Sequence, residues 1–430
     1  MGKDSKKQNK NEPKKKRFNI QEYDVDVEFA QNIVQVLDGS SDMLLNSEEM
    51  DQNEDVIKPE KVKRRSFKSF KAKSESGKDY IINVDFAREH QKLSTGGEYI
   101  LDICMNTPYH GFYFGLYEIG EFKINFGTLE LEIERKFPCK YVNSGAIMIN
   151  KKEKSVYFGL RESESHSPEG PHHYSLVKLD WNSREILWKL PIPAAAMALH
   201  IRKNLLFIGL KNGEVQILDL KKSKVADIKE NSKDKKTWKK KMKSELLKES
   251  IIFNQKVFEG EPGADGEVSR IEYLEDSEKI AVLGGVWDKR GDIAIFSAKG
   301  KLLLNERSGS SLIRGIAQTS SGIFILNSKG VLYQIQREIT THIKEESVLK
   351  VDLKTNCESN LVVVRDWLCA SGPEKIEFFF SKDTRKQSKK HLDDTLARII
   401  VGHKYGVITG DDLGKLRFWK IGDIKVHKDY

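Results

Sequence analysis

The sequence predicts an all-β protein in which a four-stranded antiparallel sheet repeats about seven times to form one β-propeller. From about residue 79 onward, short β-branched and aromatic runs alternate with turn residues, and similar pairs of runs return every ~40–50 residues. Before residue 79 the composition changes, and the chain carries long blocks of one charge. We therefore predict a disordered charge-block tail at 1–78 and a propeller at 79–430, interrupted by a helical insertion at about 229–250.

The clearest copy of the repeat lies at residues 204–220. Its first run, ending at Leu210, is almost entirely apolar, as expected for a strand that is buried on both faces. Asn212-Gly213 follows, a dipeptide that favours the tight turn of a β-hairpin. The second run, starting at Glu214, alternates between polar and apolar residues, which is typical of a strand with one wet face.

Six further pairs of runs follow the same pattern: 111–115 with 122–126, 155–160 with 174–180, 280–285 with 291–296, 322–326 with 331–335, 360–364 with 376–380, and 405–410 with 415–419. This gives seven blades, although six or eight also fit the spacing. Propellers commonly close by pairing strands from the two chain ends, and Tyr80–Phe86 is predicted to complete the last blade.

Two of these repeats resemble known families. Gly410-Asp-Asp-Leu-Gly-Lys-Leu-Arg-Phe-Trp-Lys420 resembles the closing strands of a WD repeat, although the Asp expected after Trp419 is absent. The stretch from Leu179 to Trp188 is similar to a quinoprotein-type (pyrroloquinoline-quinone) repeat. The resemblance covers about residues 95–425 and implies a propeller fold, which by itself does not decide function. Asp411 and Asp412 are expected to lie in a solvated hairpin turn.

The tail has a pattern of charge blocks. Residues 1–20 hold eight Lys/Arg, residues 21–57 hold none but eleven acidic residues, and residues 58–78 hold nine Lys/Arg. Such blocks have little to bury and are typical of disorder. Phe29, Ile33 and Leu37 recur at a spacing of four and predict one short amphipathic helix within the tail.

Two basic segments are candidate partner-binding sites. The first interleaves cations with aromatic and hydroxyl side chains, and it resembles basic effector segments that bind acidic lipid or calmodulin and are released by phosphorylation, here at Ser66 and Ser69. Nucleic acid is an equal alternative, because attraction to phosphate needs only clustered cations. The second is the insertion, where Trp238, Met242 and Leu246 would line one face of a lysine-rich helix. A solvated linker and a helix packed on its own blade are the plainer alternatives. The candidate residues are Lys63, Arg64, Arg65, Phe67, Lys68, Phe70, Lys71, Trp238, Lys239, Lys240, Lys241 and Met242.

The sequence gives no sign of catalysis. It lacks the Gly-rich phosphate loop, the Gly-x-Ser-x-Gly elbow and the His-Glu-x-x-His motif. His166, His172 and His173 lie near three glutamates but without a fixed ligand spacing, so a polar loop is favoured over a metal site. We therefore predict no catalytic residues, no metal and no cofactor, and consider a quinoprotein-like enzyme the least favoured reading.

Four separated cysteines, no apolar leader and no apolar run of ~20 residues predict an intracellular protein, cytoplasmic or nuclear. The predicted function is a monomeric, non-enzymatic scaffold that binds other proteins on its propeller faces. The alternative is a nucleic-acid-associated component or an anionic-membrane tether that binds through the basic segments.

Overall fold

A computed structural model describes residues 32–33, 36–37, 65–66, 69–73, 79–83, 87–97, 99–138, 142–163, 172–224, 245–262, 264–308, 311–336, 348–352 and 359–421. In these residues the chain forms a seven-bladed β-propeller of four-stranded antiparallel sheets, which confirms the predicted fold class. None of the described helices is long and apolar enough to cross a membrane.

Four strands precede the first blade: β1 (Arg65–Ser66), β2 (Ser69–Lys73), β3 (Asp79–Asn83) and β4 (Ala87–Ser94). β2 and β3 pair with each other as an antiparallel hairpin. β1 and β4 instead join blades whose other strands lie about 300 residues further along the chain. The N-terminal segment therefore contributes strands to the end of the propeller.

Blades 1 to 5 each consist of four consecutive strands, with the first strand innermost. Blade 1 is β5 (Ile100–Thr107), β6 (His110–Gly115), β7 (Glu118–Ile124) and β8 (Leu131–Pro138). Blade 2 is β9 (Val142–Asn150), β10 (Ser155–Ser163), β11 (His172–Asp180) and β12 (Ile186–Ile192). Blade 3 is β13 (Ala196–Arg202), β14 (Leu205–Leu210), β15 (Glu214–Asp219) and β16 (Ile251–Lys256).

Blade 4 is β17 (Glu267–Leu274), β18 (Lys279–Val286), β19 (Arg290–Ser297) and β20 (Leu302–Ser308). Blade 5 is β21 (Ile313–Thr319), β22 (Gly322–Asn327), β23 (Val331–Gln336) and β24 (Val348–Asp352). The remaining strands are β25 (Val362–Val364), β26 (Trp367–Phe380), β27 (Asp383–His403), β28 (Gly406–Asp411) and β29 (Lys415–Ile421).

β26 and β27 are long because each serves as two strands. The Ser381 amide donates to the Asp366 carbonyl at 2.8 Å, so the two halves of β26 lie side by side as the second and third strands of blade 6. The first half of β27 is the outer strand of blade 6, and its second half, from Ala397, is the inner strand of blade 7. Residues 360–364, predicted as the partner run of 376–380, contain the inner strand β25, which pairs with the first half of β26 instead.

The inner strands form a closed ring, because β5, β9, β13, β17, β21 and β25 contact one another in turn and β27 contacts β5. The ring is fastened where β4 pairs with β29, from Ala87 opposite Ile421 to Ser94 opposite Lys415. The prediction that Tyr80–Phe86 closes the last blade is therefore wrong, although closure by an N-terminal strand is right. An outer edge strand needs few apolar residues and tolerates charge, so the polar β4 fits this position.

A buried ionic cluster in blade 7 holds this closing strand. Arg417 lies on β29, and its guanidinium donates to Glu89 of β4 at 2.8 Å and to Asp411 at 3.3 Å. It also donates to the Thr395 hydroxyl at 3.3 Å. The side chains of Arg417 and Asp411 are each 1% exposed. Asp411 is thus not the solvated turn residue that the sequence predicts, because Arg417, six positions further along the chain, reaches back to it across the turn.

The apolar core lies between the blades. Among the described residues, seven clusters of buried apolar side chains each join two neighbouring blades. The all-apolar strand β14, for example, sends Phe207 toward blade 4 and Leu206 toward blade 2. The predicted turn after it has Gly213 at φ 80°, where a Cβ would lie 2.1 Å from the Phe258 carbonyl oxygen, so this position requires glycine.

Two helical segments fill gaps at the rim. Ile33, Val36 and Leu37 are helical, at most 3% exposed, and pack between blades 4 and 5. This confirms a helix at the predicted apolar spacing, while Phe29 lies outside the described residues. The helical end of the insertion, residues 245–249, buries Leu247 between blades 2 and 3, and Leu246 is only half-buried.

A further short helix, Leu220–Ser223, follows β15. The Asp219 carboxylate caps it by accepting from the amides of Lys221 and Lys222. Its Leu220 side chain packs in the cluster between blades 2 and 3.

Candidate interaction face and central channel

The two ends of the propeller carry different loops. One end carries the turns between the second and third strands of each blade and the connections from one blade to the next. We call this the upper end, and the opposite one the lower end. Among the residues that the structure describes, three aromatic side chains are exposed there: Tyr99 between β4 and β5, Tyr117 between β6 and β7, and Trp287, 41% exposed, between β18 and β19. Leu413, between β28 and β29, is exposed at the same end.

Two arginines lie beside these aromatic rings. The Arg314 guanidinium lies 5.0 Å from the centre of the Trp287 ring, and that of Arg398 lies 5.2 Å from the Tyr99 ring. Each arginine occupies the bulge near the start of an inner strand, β21 or β27. A bulge inserts one residue and redirects its side chain, and here it brings both cations to the upper mouth of the channel.

The lower end carries an aromatic cluster at the junction of blades 7 and 1. Phe126, 73% exposed, meets the Tyr109 ring edge-on at 5.1 Å between ring centres. The Lys404 ammonium lies 4.6 Å from the Tyr405 ring and 5.4 Å from the Tyr109 ring. This ammonium lowers the pKa of the Tyr405 phenol.

The central channel contains a cavity of about 130 Å³ walled by the inner strands of blades 1 to 4. The Asp102 carboxylate accepts from its neighbour Ile103 at 2.9 Å and from the Ile147 amide of blade 2 at 3.0 Å, so it ties two blades together. Arg270 lies 3.6 Å from Asp102 and 3.4 Å from Glu272. Burial raises the pKa of both carboxyl groups, and Arg270 opposes that shift.

Two side chains in the channel wall, Cys104 and His200, belong to residue types that enzymes use, but their pKa values suit them poorly to catalysis. Burial, followed by the charge of nearby Asp102, raises the pKa of the Cys104 thiol to about 12, so it is protonated and weakly nucleophilic at neutral pH. Burial, followed by the Arg202 charge, lowers the pKa of His200 to about 4. The polar groups of the wall instead join neighbouring blades.

The sequence-predicted basic segments are only partly described. Arg65 and Ser66 form β1, which pairs in parallel with the outer strand of blade 6 in the register Arg65–Lys386 and Ser66–Gln387. Phe70 and Lys71 lie in β2. The other candidates, namely Lys63, Arg64, Phe67, Lys68, Trp238, Lys239, Lys240, Lys241 and Met242, lie outside the described residues.

The predicted histidine loop is also divided. His172 and His173 belong to β11, opposite Ser163 and Glu162 of β10, and His166 lies outside the described residues. The upper-face arginines and aromatic residues were missed by sequence reasoning. Arg314 and Arg398 precede Gly315 and Ile399 at the start of inner strands, but the bulge that exposes them leaves no residue pattern that a single sequence reveals.

Comparison with known proteins supports the fold alone. No family model matches the sequence, and no curated protein matches it. The solved WD40 β-propeller domain of Doa1 is similar with a TM-score of 0.52 and 8% sequence identity, over 78% of this chain and 96% of that chain. A chain of the mitotic checkpoint complex is similar with a TM-score of 0.54 and 11% identity, over 88% of this chain and all of that chain. At these identities the likenesses show the propeller fold, and both the WD-repeat and the quinoprotein-like resemblances stay predictions.

Proposed function

We propose that the protein is a non-enzymatic scaffold that binds other proteins through the upper face of its propeller. The observation that carries this proposal is the pairing of Arg314 with Trp287 and of Arg398 with Tyr99 around the channel mouth. Trp, Tyr and Arg are enriched among the residues that dominate binding energy at protein interfaces. A rigid ring of blades holds them in fixed relative positions, so little conformational entropy is lost on binding.

Affinity capture with matched variants tests this proposal. The full chain, Trp287→Ala with Tyr99→Ala, and Phe126→Ala on the lower face are each used to capture proteins from native extract at high salt. We expect the upper-face variant to lose discrete partners that the Phe126→Ala protein retains. The proposal is wrong if the lower-face variant alone loses them, or if the full chain retains no protein at high salt.

A second candidate function, association with nucleic acid, is favoured by a different observation. β1 lies within the basic segment 58–78, and it pairs with a strand that contains Arg385, Lys386, Lys389 and Lys390. The register places Arg65 opposite Lys386, and a polyanion bound there would neutralise both charges. The pairing brings together two basic segments that are about 300 residues apart in sequence.

Binding of a labelled single-stranded oligouridylate, measured against salt concentration, tests this second function. A variant with Arg385, Lys386, Lys389 and Lys390 changed to Gln is compared with one in which Lys211, Lys256, Lys299 and Lys301 are changed. Both lose the same charge, so only a localised site distinguishes them. We expect the first variant to bind more weakly and with a shallower salt dependence. Equal weakening would indicate general electrostatics, and binding to phosphatidylserine vesicles but not RNA would favour the membrane tether.

A further inference from the structure

A cluster of ionisable side chains lies on blade 1, apart from both the upper face and the channel cavity. His110 begins β6, Glu121 lies in β7 and Glu134 in β8, so three adjacent strands each contribute one group. The ligand-type atoms of all three residues lie within 4.8 Å of one another. The His110 Nε2 atom is 2.8 Å from Glu121 Oε1 and 3.7 Å from Glu134 Oε2.

These distances suit coordination of a metal ion. Zinc binds histidine nitrogen and carboxylate oxygen at ~2.0–2.2 Å, which places tetrahedral ligand atoms ~3.4 Å apart. The two separations measured from His110 bracket that value, so an ion fits after small side-chain rotations. One imidazole with two carboxylates is a nitrogen and oxygen donor set suited to divalent transition metals.

Glu121 provides an independent indication of a ligand. This residue is 5% exposed, and its Oε2 atom is buried without a hydrogen-bond partner. Its nearest cation is Arg135, whose Nε lies 3.8 Å from Oε2 and whose side chain is 51% exposed. A buried carboxylate oxygen without a hydrogen bond is costly, and an ion that coordinates it removes the cost.

The residues around the cluster hold the ligands in place. The Trp181 ring, from the turn after β11 in blade 2, stacks on the His110 ring at 5.1 Å and 7°. Its Nε1 donates to Glu121 Oε1 at 3.2 Å. The Asn106 side chain lies 3.2 Å from Nδ1 of His110 and so orients the imidazole. Such outer partners fix ligand geometry in metal sites.

Two cations compete with a metal ion for the carboxylates. Lys123 pairs with Glu134 at 2.5 Å, and Arg135 approaches Glu121. Both side chains are about half-exposed, so each can turn into solvent when an ion enters. Binding of a metal ion would therefore replace the ion pairs of Lys123 and Arg135 with metal–carboxylate bonds.

We propose that His110, Glu121 and Glu134 form a binding site for a divalent transition-metal ion, with zinc as the best-suited probe. Three protein ligands leave a fourth position for water or for a donor from a partner. The ion would link three strands of blade 1 and, through Trp181, the rim of blade 2. This inference is independent of the proposed scaffold function.

Isothermal titration of the metal-free full chain with Zn²⁺, together with the absorption spectrum of bound Co²⁺, tests the proposal. We expect one Zn²⁺ per chain at this site. We also expect the d–d absorption of a Co²⁺ ion that is coordinated by three protein ligands and a solvent molecule. His110→Ala and Glu134→Gln each weaken binding by at least ~10-fold, and Trp181→Phe also weakens it through lost orientation. Glu134 lies near the surface, so its variant keeps the test valid if His110→Ala fails to fold.

The control variant replaces His172 and His173 with Ala, which removes the alternative histidine pair and leaves blade 1 intact. Unchanged zinc affinity in this control, with loss in Glu134→Gln, supports the site. Loss in the control with retention in both blade 1 variants overturns the proposal, as does the absence of any stoichiometric binding by the parent chain.

Discussion

Blades 7 and 1 are neighbours, and each contains a charged cluster, but the two clusters differ in completeness. In blade 7, Arg417 and Asp411 are fully buried, and the guanidinium donates to three different side chains. In blade 1, Glu121 keeps an oxygen without a hydrogen bond, and the cations near it are half exposed to solvent. A buried, satisfied network fastens the structure, whereas an incomplete one at the rim is available for a ligand.

The largest expected effect comes from removing the charge at the centre of the complete cluster. Arg417→Met leaves the Asp411 carboxylate buried without its cation and releases Glu89 of the closing strand. We expect a loss of about 3–5 kcal/mol in the free energy of unfolding. Urea unfolding measures it, and Arg135→Met in blade 1 is the matched control, for which we expect an unchanged midpoint. Equal losses in the two variants would mean that the clusters do not differ as described.

The next effect tests how rigidly blade 1 holds its cluster. A Cβ at Gly120, directly before Glu121, would lie 1.8 Å from the Tyr113 ring. Gly120→Ala must therefore displace Tyr113 or β7, and we expect a loss of about 1–3 kcal/mol, again by urea unfolding. At Gly127 the nearest atom to an added Cβ is 3.6 Å away, so Gly127→Ala serves as the control. A harmless Gly120→Ala would show that β7 shifts freely and that the ligand geometry is not fixed.

A smaller effect concerns the polar bond that completes blade 7. The Trp419 indole donates to the Thr409 hydroxyl at 3.2 Å, and both residues are buried. Thr409→Val leaves that donor unsatisfied, so we expect a loss of about 1–2 kcal/mol by thermal or urea unfolding. Thr409→Ser keeps the hydroxyl and should cost less. The opposite order would indicate that the methyl group, and not the hydrogen bond, stabilises this site.

The smallest expected effect is on the stability of the metal-free protein when the incomplete cluster is altered. Glu134 pairs with Lys123 at the surface, and exposed pairs contribute little. We expect Glu134→Gln to leave the unfolding midpoint unchanged while it weakens zinc binding. A clear loss of stability without zinc would assign the cluster a structural role like that of blade 7.

Much of the fold could be predicted because the inner and middle strands of a propeller are strongly apolar and separated by turn residues. The hairpin around Asn212-Gly213 shows this most directly. The closing strand could not be predicted, because β4 is polar and Tyr80–Phe86 has a stronger strand pattern. Blade 6 was misaligned because the apolar run at 360–364 has the pattern of a second strand, whereas the second strand is the first half of β26, which ends at the turn residues Ser371-Gly372-Pro373.

The sites were harder to predict than the fold, since they depend on residues that are distant in sequence. His110, Glu121 and Glu134 are 11 and 13 positions apart and match no ligand spacing, yet pairing of β6, β7 and β8 places them side by side. Trp181 adds a contribution from another blade. The three histidines of the loop lie within eight positions of one another, and such proximity in sequence is a weaker guide to a site than strand register.

Because β4 pairs with β29, the propeller can close only after the C-terminal strand has been synthesised. At ~5–20 residues per second, a ribosome needs on the order of tens of seconds to travel from Ser94 to Ile421. Throughout that interval β4 lacks its partner strand β29. The face of blade 1 that packs against blade 7 in the folded protein is likewise uncovered. The nascent chain is therefore an open arc with two exposed ends, and chaperones that shield sheet edges would find their substrate there until the last strand emerges.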